Sequence, residues 1–298
     1  MSFSKEFYWG AASAAYQIEG AWNHDGKGPS VWDARCHETG NIRNGDTGDT
    51  ACDHYNRYKE DCRLMNEMGL NSYRFSISWP RVFPEGIGKV NKKGLDFYDR
   101  LTDELLNNGI TPFATLFHWD CPLELFYKGG WLNRDSAKWF AEYTKVVSER
   151  LGDRIKHWMT MNEMTVFLML GHSSGGHAPG MKYSFPDLLR CTHNVLRSHG
   201  GSVKILRETI PDAKVGLAHA ISGTFPINTE RRNVDAARIG QFAITHKNVY
   251  SRSWYLDPMF FGNYPEDGLA LFGDEMPGGF EKDMEEIQGE LDFIGLNT

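Results

Sequence analysis

Glu163 stands directly after the apolar run His157–Asn162 (HWMTMN), with Asn162 as its neighbour. A carboxyl group at the end of a buried segment can give or take a proton, and an amide beside it can bond a hydroxyl. Other polar residues hold matching places. Gln17 and Glu19 follow Phe7–Tyr16, and Arg74 lies within Ser72–Trp79. His118, Trp119 and Asp120 stand at the end of Thr111–Trp119, and Asn297 ends Leu291–Asn297. Amide, imidazole, guanidinium and carboxylate groups with Trp nearby form a set that hydrogen-bonds hydroxyls and stacks on a pyranose face. Neither GxGxxG nor GxxxxGK[ST] occurs, so nucleotide binding loses its main support.

Each residue also has a plainer reading. Glu163 can be a solvent-facing turn carboxylate, and His118 a core histidine bonded to backbone. Asn162 and Asn297 can be turn formers. Arg74 can pair with any buried acid, and Trp119 and Trp131 can simply fill the core. The eleven histidines include no HExxH, and His172 with His177 has no matched carboxylate pattern, so no metal or cofactor is expected.

These residues share one kind of position. The segments Ser72–Trp79, Thr111–Trp119, His157–Asn162, Lys214–Ala220 and Leu291–Asn297 read as strands. Most are continuous apolar runs, as in parallel sheets covered on both faces. Between them the spacing predicts helices over Tyr55–Met68, Leu95–Asn108 and Ser136–Leu151, each stopped by a glycine (Gly69, Gly109, Gly152), with Asp135 as an N-cap. With Phe7–Tyr16 as the first strand, about six βα steps follow. A doubly wound sheet and a TIM barrel share this alternation, and both place chemistry after the strands' C-terminal ends.

Composition narrows the classes. A chain of 298 residues with 41% hydrophobic and 24% charged residues is globular rather than disordered. A net charge of −7 argues against nucleic acid as a partner. No apolar stretch is long enough to span a membrane, and MSFSKEFYWG does not resemble a signal peptide. Five scattered cysteines without CxxC are expected to be reduced thiols in a cytoplasmic protein. Nine Trp, twelve Tyr and eighteen Phe suit both a large core and sugar stacking.

Seven segments together resemble glycoside hydrolase family 1, the β-glucosidase family. They are FYWGAASAAYQIEG (Phe7–Gly20), SYRFSISWPRV (Ser72–Val82), TLFHWDCPLEL (Thr115–Leu125), TMNE (Thr160–Glu163), HAPG (His177–Gly180), YLDPMFFGNYP (Tyr255–Pro265) and DFIGLN (Asp292–Asn297). They fall in family order and cover nearly the whole chain. The resemblance implies a TIM (β/α)8 barrel that hydrolyses terminal β-D-glucosyl or related residues with retention. It makes Glu163 the general acid/base and Arg74 the residue that positions the nucleophile. Gln17, His118 and Asn162 would bind hydroxyls of the nonreducing sugar, with Trp119 and Asn297 beside them. Small β-glycosides or β-linked disaccharides are the expected substrates. Retaining chemistry needs two carboxyl groups about 5–5.5 Å apart. The acid of the pair must hold its proton near neutral pH.

The sequence also departs from the family. The nucleophilic glutamate belongs to a TENG-type motif after strand seven, and no TENG occurs here. The expectation is a single incomplete domain over residues 1–298, a TIM barrel truncated after its sixth strand. Its open edges favour aggregation or dimerisation. Activity would be very low unless a complementing C-terminal chain or a homo-oligomer completes it. A non-catalytic carbohydrate-binding or interaction module is the alternative. Met161 stands where the family has Phe, Met164 where it has Pro, and Glu124 where it has Gln.

Overall fold

In the computed structural model, which describes residues 3, 4 and 6–298, the apolar runs form six parallel strands. They are β1 (Gly10–Ala12), β2 (Ser72–Ser76), β3 (Thr111–Phe117), β4 (His157–Asn162), β5 (Lys214–Ala220) and β6 (Phe293–Asn297). Their order in space is their order in sequence, and every pairing is parallel. A doubly wound sheet reverses direction partway across. This one never does, so it is the curled sheet of a TIM barrel, with six of its strands in this chain.

Several elements are shorter than the sequence pattern predicts. Phe7–Tyr16 contributes only Gly10–Ala12, and Ala15–Ile18 closes into one helical turn. The cause is tertiary: Ser76 Oγ accepts the Ala15 N–H at 2.7 Å and turns the chain out of the sheet. β2 stops at Ser76 because Trp79–Val82 form a helical turn with Pro80 near its start. β3 stops at Phe117 because Trp119 takes a left-handed φ of 76°.

The helices lie at His54–Glu67, Lys92–Asn107, Ser136–Leu151 and Phe185–Thr209. Gly69 and Gly109 stop theirs with positive φ. Gly152 has φ −71° and serves a different need: a Cβ there would lie 2.4 Å from Ile210 Cγ1. Asp135 occupies the N-cap position but makes no capping bond, and its carboxylate takes Lys138 Nζ at 2.8 Å instead.

The core fixes the strand ends that carry the candidate residues. Trp79, Trp131, Phe140 and Tyr143 are buried together, with Trp79 and Tyr143 stacked at 5.2 Å. Trp131 is therefore a core residue. The Tyr143 hydroxyl lies 2.9 Å from Ile77 O and 3.0 Å from Leu116 O, tying one helix to the ends of β2 and β3. Thr160 Oγ1 and His199 Nδ1, 2.7 Å apart, tie β4 to the long helix Phe185–Thr209.

That helix is also held by a charge cluster centred on the buried Asp283. Asp283 accepts Arg134 Nη1 and Nη2 at 2.8 and 2.6 Å and faces His193 Nε2 at 2.9 Å. His193 Nδ1 meets the Tyr264 hydroxyl at 2.9 Å, and Arg197 bonds Glu286 at 2.8 Å. Cys36, Cys52, Cys62, Cys121 and Cys191 are free thiols. Among the described residues, no helix is long and apolar enough to cross a membrane.

Candidate active site

Asn162 collects the sheet's polar ends. It is 1% exposed, and its Oδ1 accepts Arg74 Nη2 from β2 at 2.6 Å and Asn297 Nδ2 from β6 at 3.1 Å. Its Nδ2 faces His118 Nε2 at 3.2 Å, and its backbone carbonyl accepts Trp119 Nε1 at 2.9 Å. Arg74 Nε also donates to Thr115 Oγ1 at 2.9 Å, which fixes the guanidinium across β3. Four strands thus converge on one amide.

Glu163 joins the same network. Asn297 Nδ2 donates to its Oε1 at 2.5 Å, while Oε2 has no protein partner among the described residues. Successive residues of a strand face opposite sides of the sheet, yet Asn162 and Glu163 both reach this network. Two features allow it. The β4–β5 register shifts between Met159 and Asn162, and Glu163 adopts a left-handed φ of 53°. A non-glycine residue pays about 1–2 kcal/mol for that conformation. It is held there by the Glu163 N–H donating to Ala218 O at 2.7 Å.

The electrostatics sort the charges. Burial lowers the Arg74 pKa to about 10 against the pull of Glu163, so the guanidinium stays charged at neutral pH. Burial, and then Arg74, lower His118 to about 3, so its imidazole is neutral. Asn162 Oδ1 is already occupied by two donors. The amide N–H must therefore face His118 Nε2, which assigns the imidazole proton to Nδ1.

The other sequence candidates divide. Gln17 is exposed at the same end of the sheet, after β1, and makes no hydrogen bond to the network among the described residues. Trp119 lies 5.6 Å from the His118 ring and 5.7 Å from that of His177. His177 in turn sits 5.6 Å from Trp32, which stacks on Tyr16 at 5.7 Å. This arc of rings was not legible in the sequence; its signals were Tyr16 beside Gln17 and the HAPG segment. Glu19 and Asp120 turn away from Asn162. Glu19 is 4% exposed and accepts Arg81 Nε at 2.9 Å and the Tyr98 hydroxyl at 2.7 Å. Among the described residues, no group of three or more His, Cys, Asp or Glu is placed to hold a metal. The site offers one carboxyl oxygen for proton transfer, with an amide, an imidazole and aromatic faces around it.

The description "Glycosyl hydrolase family 1" matches residues 1–298. The chain is 50% identical over 296 residues to the 1,4-beta-D-glucan glucohydrolase of Thermotoga neapolitana, covering 99% of this chain and 68% of that one. It is 50% identical over 301 residues to beta-glucosidase A of Acetivibrio thermocellus, covering 100% and 65%. The beta-glucosidase of Thermotoga maritima in complex with deoxynojirimycin superposes with a TM-score of 0.89 at 47% identity, covering 99% and 65%. This chain therefore spans about two thirds of the length of the relatives it matches.

Proposed function

The chain belongs to glycosyl hydrolase family 1, and on that premise we propose that it supplies the acid/base half of a retaining β-glucosidase active site. Glu163 protonates the glycosidic oxygen through its free Oε2, then deprotonates the water that attacks the glycosyl-enzyme. Asn162 bonds the sugar 2-hydroxyl, a contact that strengthens in the transition state. His118 and Gln17 bind further hydroxyls, Trp119 lies against the ring, and Asn297 orients Glu163. Arg74 positions the nucleophile. That opposing carboxylate comes from polypeptide outside residues 1–298. The substrates are small β-glycosides or β-linked disaccharides met in the cytoplasm, and one incomplete barrel domain carries the whole set.

The observation that carries this reading is the bond from Asn297 to Glu163, on an amide network that also holds Arg74 and His118. The test is hydrolysis of p-nitrophenyl β-glucoside by this chain alone and after mixing with a chain that supplies the seventh and eighth strands. Activity should appear in the mixture. Glu163→Gln should lower it about 10²–10⁴-fold. A folded mixture without activity refutes the reading. Glu19 and Asp120, both turned away, favour a second reading in which the six units bind sugar without turnover. Calorimetric titration with glucose or cellobiose separates the two.

A further inference from the structure

Gln17 and His118 are each followed, two residues later, by a carboxylate that turns inward: Glu19 and Asp120. Both line one small chamber, together with Lys27, Asp33, Ser78 and Arg81. Four buried polar atoms in this wall have no hydrogen-bond partner: Asp33 Oδ1, Arg81 Nη1 and both oxygens of Asp120. Asp120 is 2% exposed, Asp33 1% and Arg81 1%. Leaving such atoms unpaired is costly, most of all for charged groups. The other charged groups of the wall are paired. Asp33 Oδ2 takes Lys27 Nζ at 3.0 Å, the Ser30 hydroxyl at 2.7 Å and the Ser30 N–H at 2.7 Å. Glu19 holds Arg81 Nε and the Tyr98 hydroxyl.

The unmet bonding is specific in kind. There are three carboxyl oxygens and one guanidinium nitrogen, around a space of about 10 Å³, the room that one water needs. A water donates two hydrogen bonds and accepts one or two. We propose that this chamber is an internal water site. The water donates to Asp33 Oδ1 and to one oxygen of Asp120, accepts from Arg81 Nη1, and thereby sets the spacing between Gln17 and His118. Three separate segments meet on it: the loop after β1, the turn Trp79–Val82 and the turn after β3. The loop and the β3 turn are already laced together by backbone, Val31 N–H to Cys121 O and Leu123 N–H to Pro29 O, both at 2.9 Å. Burial pushes the Asp120 carboxyl up to about 7, so a single solvating partner matters there.

The water itself does not depend on the glycosidase reading; the meaning of the Gln17–His118 spacing rests on it. The test is a crystal structure of the full chain at a resolution that orders water, beside Asp120→Leu and Asp120→Asn. The wild type should show one peak within hydrogen-bond distance of Asp33 Oδ1, Asp120 and Arg81 Nη1. Asp120→Asn, which keeps an acceptor, should retain the peak and the spacing. Asp120→Leu should lose the peak and shift His118 away from Gln17. A dry chamber in the wild type, or contacts at metal–oxygen distances, overturns the proposal. A lost water with unchanged spacing overturns its second half. If Asp120→Leu does not fold, magnetic relaxation dispersion on wild type and Asp33→Ala, which removes the acceptor, decides it: one fewer long-lived water in the variant supports the site, and equal numbers refute it. No readout uses sugar binding, so failure here and failure of the glycosidase reading remain distinct.

Discussion

Replacing Asp283 with Asn should weaken the fold in a pH-dependent way. Burial raises the Asp283 pKa, but Arg134, His193 and Arg197 outweigh it and hold the carboxyl at about 2, down from 3.8. That drop corresponds to about 2.5 kcal/mol. Arg134 is 60% exposed, and screening trims the figure to about 2 kcal/mol. The folded-state pKa is depressed. The contribution is therefore fully present above the unfolded value near 3.8 and is lost as pH falls toward 2. About half should remain at pH 3. His193 is also lowered, chiefly by burial, so its neutral form adds stability that fades as pH falls below its ordinary value of 6.5. The assay is urea unfolding of wild type and Asp283→Asn between pH 3 and pH 7. The gap in unfolding free energy should narrow by about 1 kcal/mol from pH 6 to pH 3. Curves that stay parallel would refute the assignment of Asp283 as an ionised, ion-paired anchor.

Asn162→Ala leaves a half-buried guanidinium without its amide acceptor and should cost about 2 kcal/mol by denaturant midpoint. Combined with Arg74→Met, the loss should fall short of the summed single losses by at least about 1 kcal/mol, and strict additivity would show that the two do not interact. Gly200→Ala should cost several kcal/mol or prevent folding, because its Cβ would sit 1.9 Å from Glu286 O; near-native thermal unfolding would contradict that packing. In the complemented enzyme, Glu163→Gln should depress p-nitrophenyl β-glucoside turnover far more than Asn297→Ala, and equal losses would count against Glu163 as the acid.

The strands were legible because both faces of a parallel sheet are covered, which leaves continuous apolar runs such as HWMTMN. The helix stops at Gly69 and Gly109 were legible because only their backbone conformation was at stake. What escaped depends on distant partners. The turn Ala15–Ile18 is set by Ser76, 61 residues away, and Glu19 is engaged by Arg81 across 62 residues. Gly152 reads like its fellow glycines yet is kept for the approach of Ile210. The shared orientation of Asn162 and Glu163 requires a register shift against β5 and the carbonyl of Ala218, neither of which leaves a trace within β4.

That shared orientation couples two properties that most proteins vary apart. A single peptide bond joins the amide at the centre of the network to the carboxyl proposed to deliver the proton. Any mutation that swings one swings the other, so gains in affinity and gains in turnover cannot be selected one at a time here. Inserting or deleting one residue in this stretch would turn half of the pair toward the helices. Variation among relatives should therefore collect on the rings around Trp119 and leave this dipeptide alone.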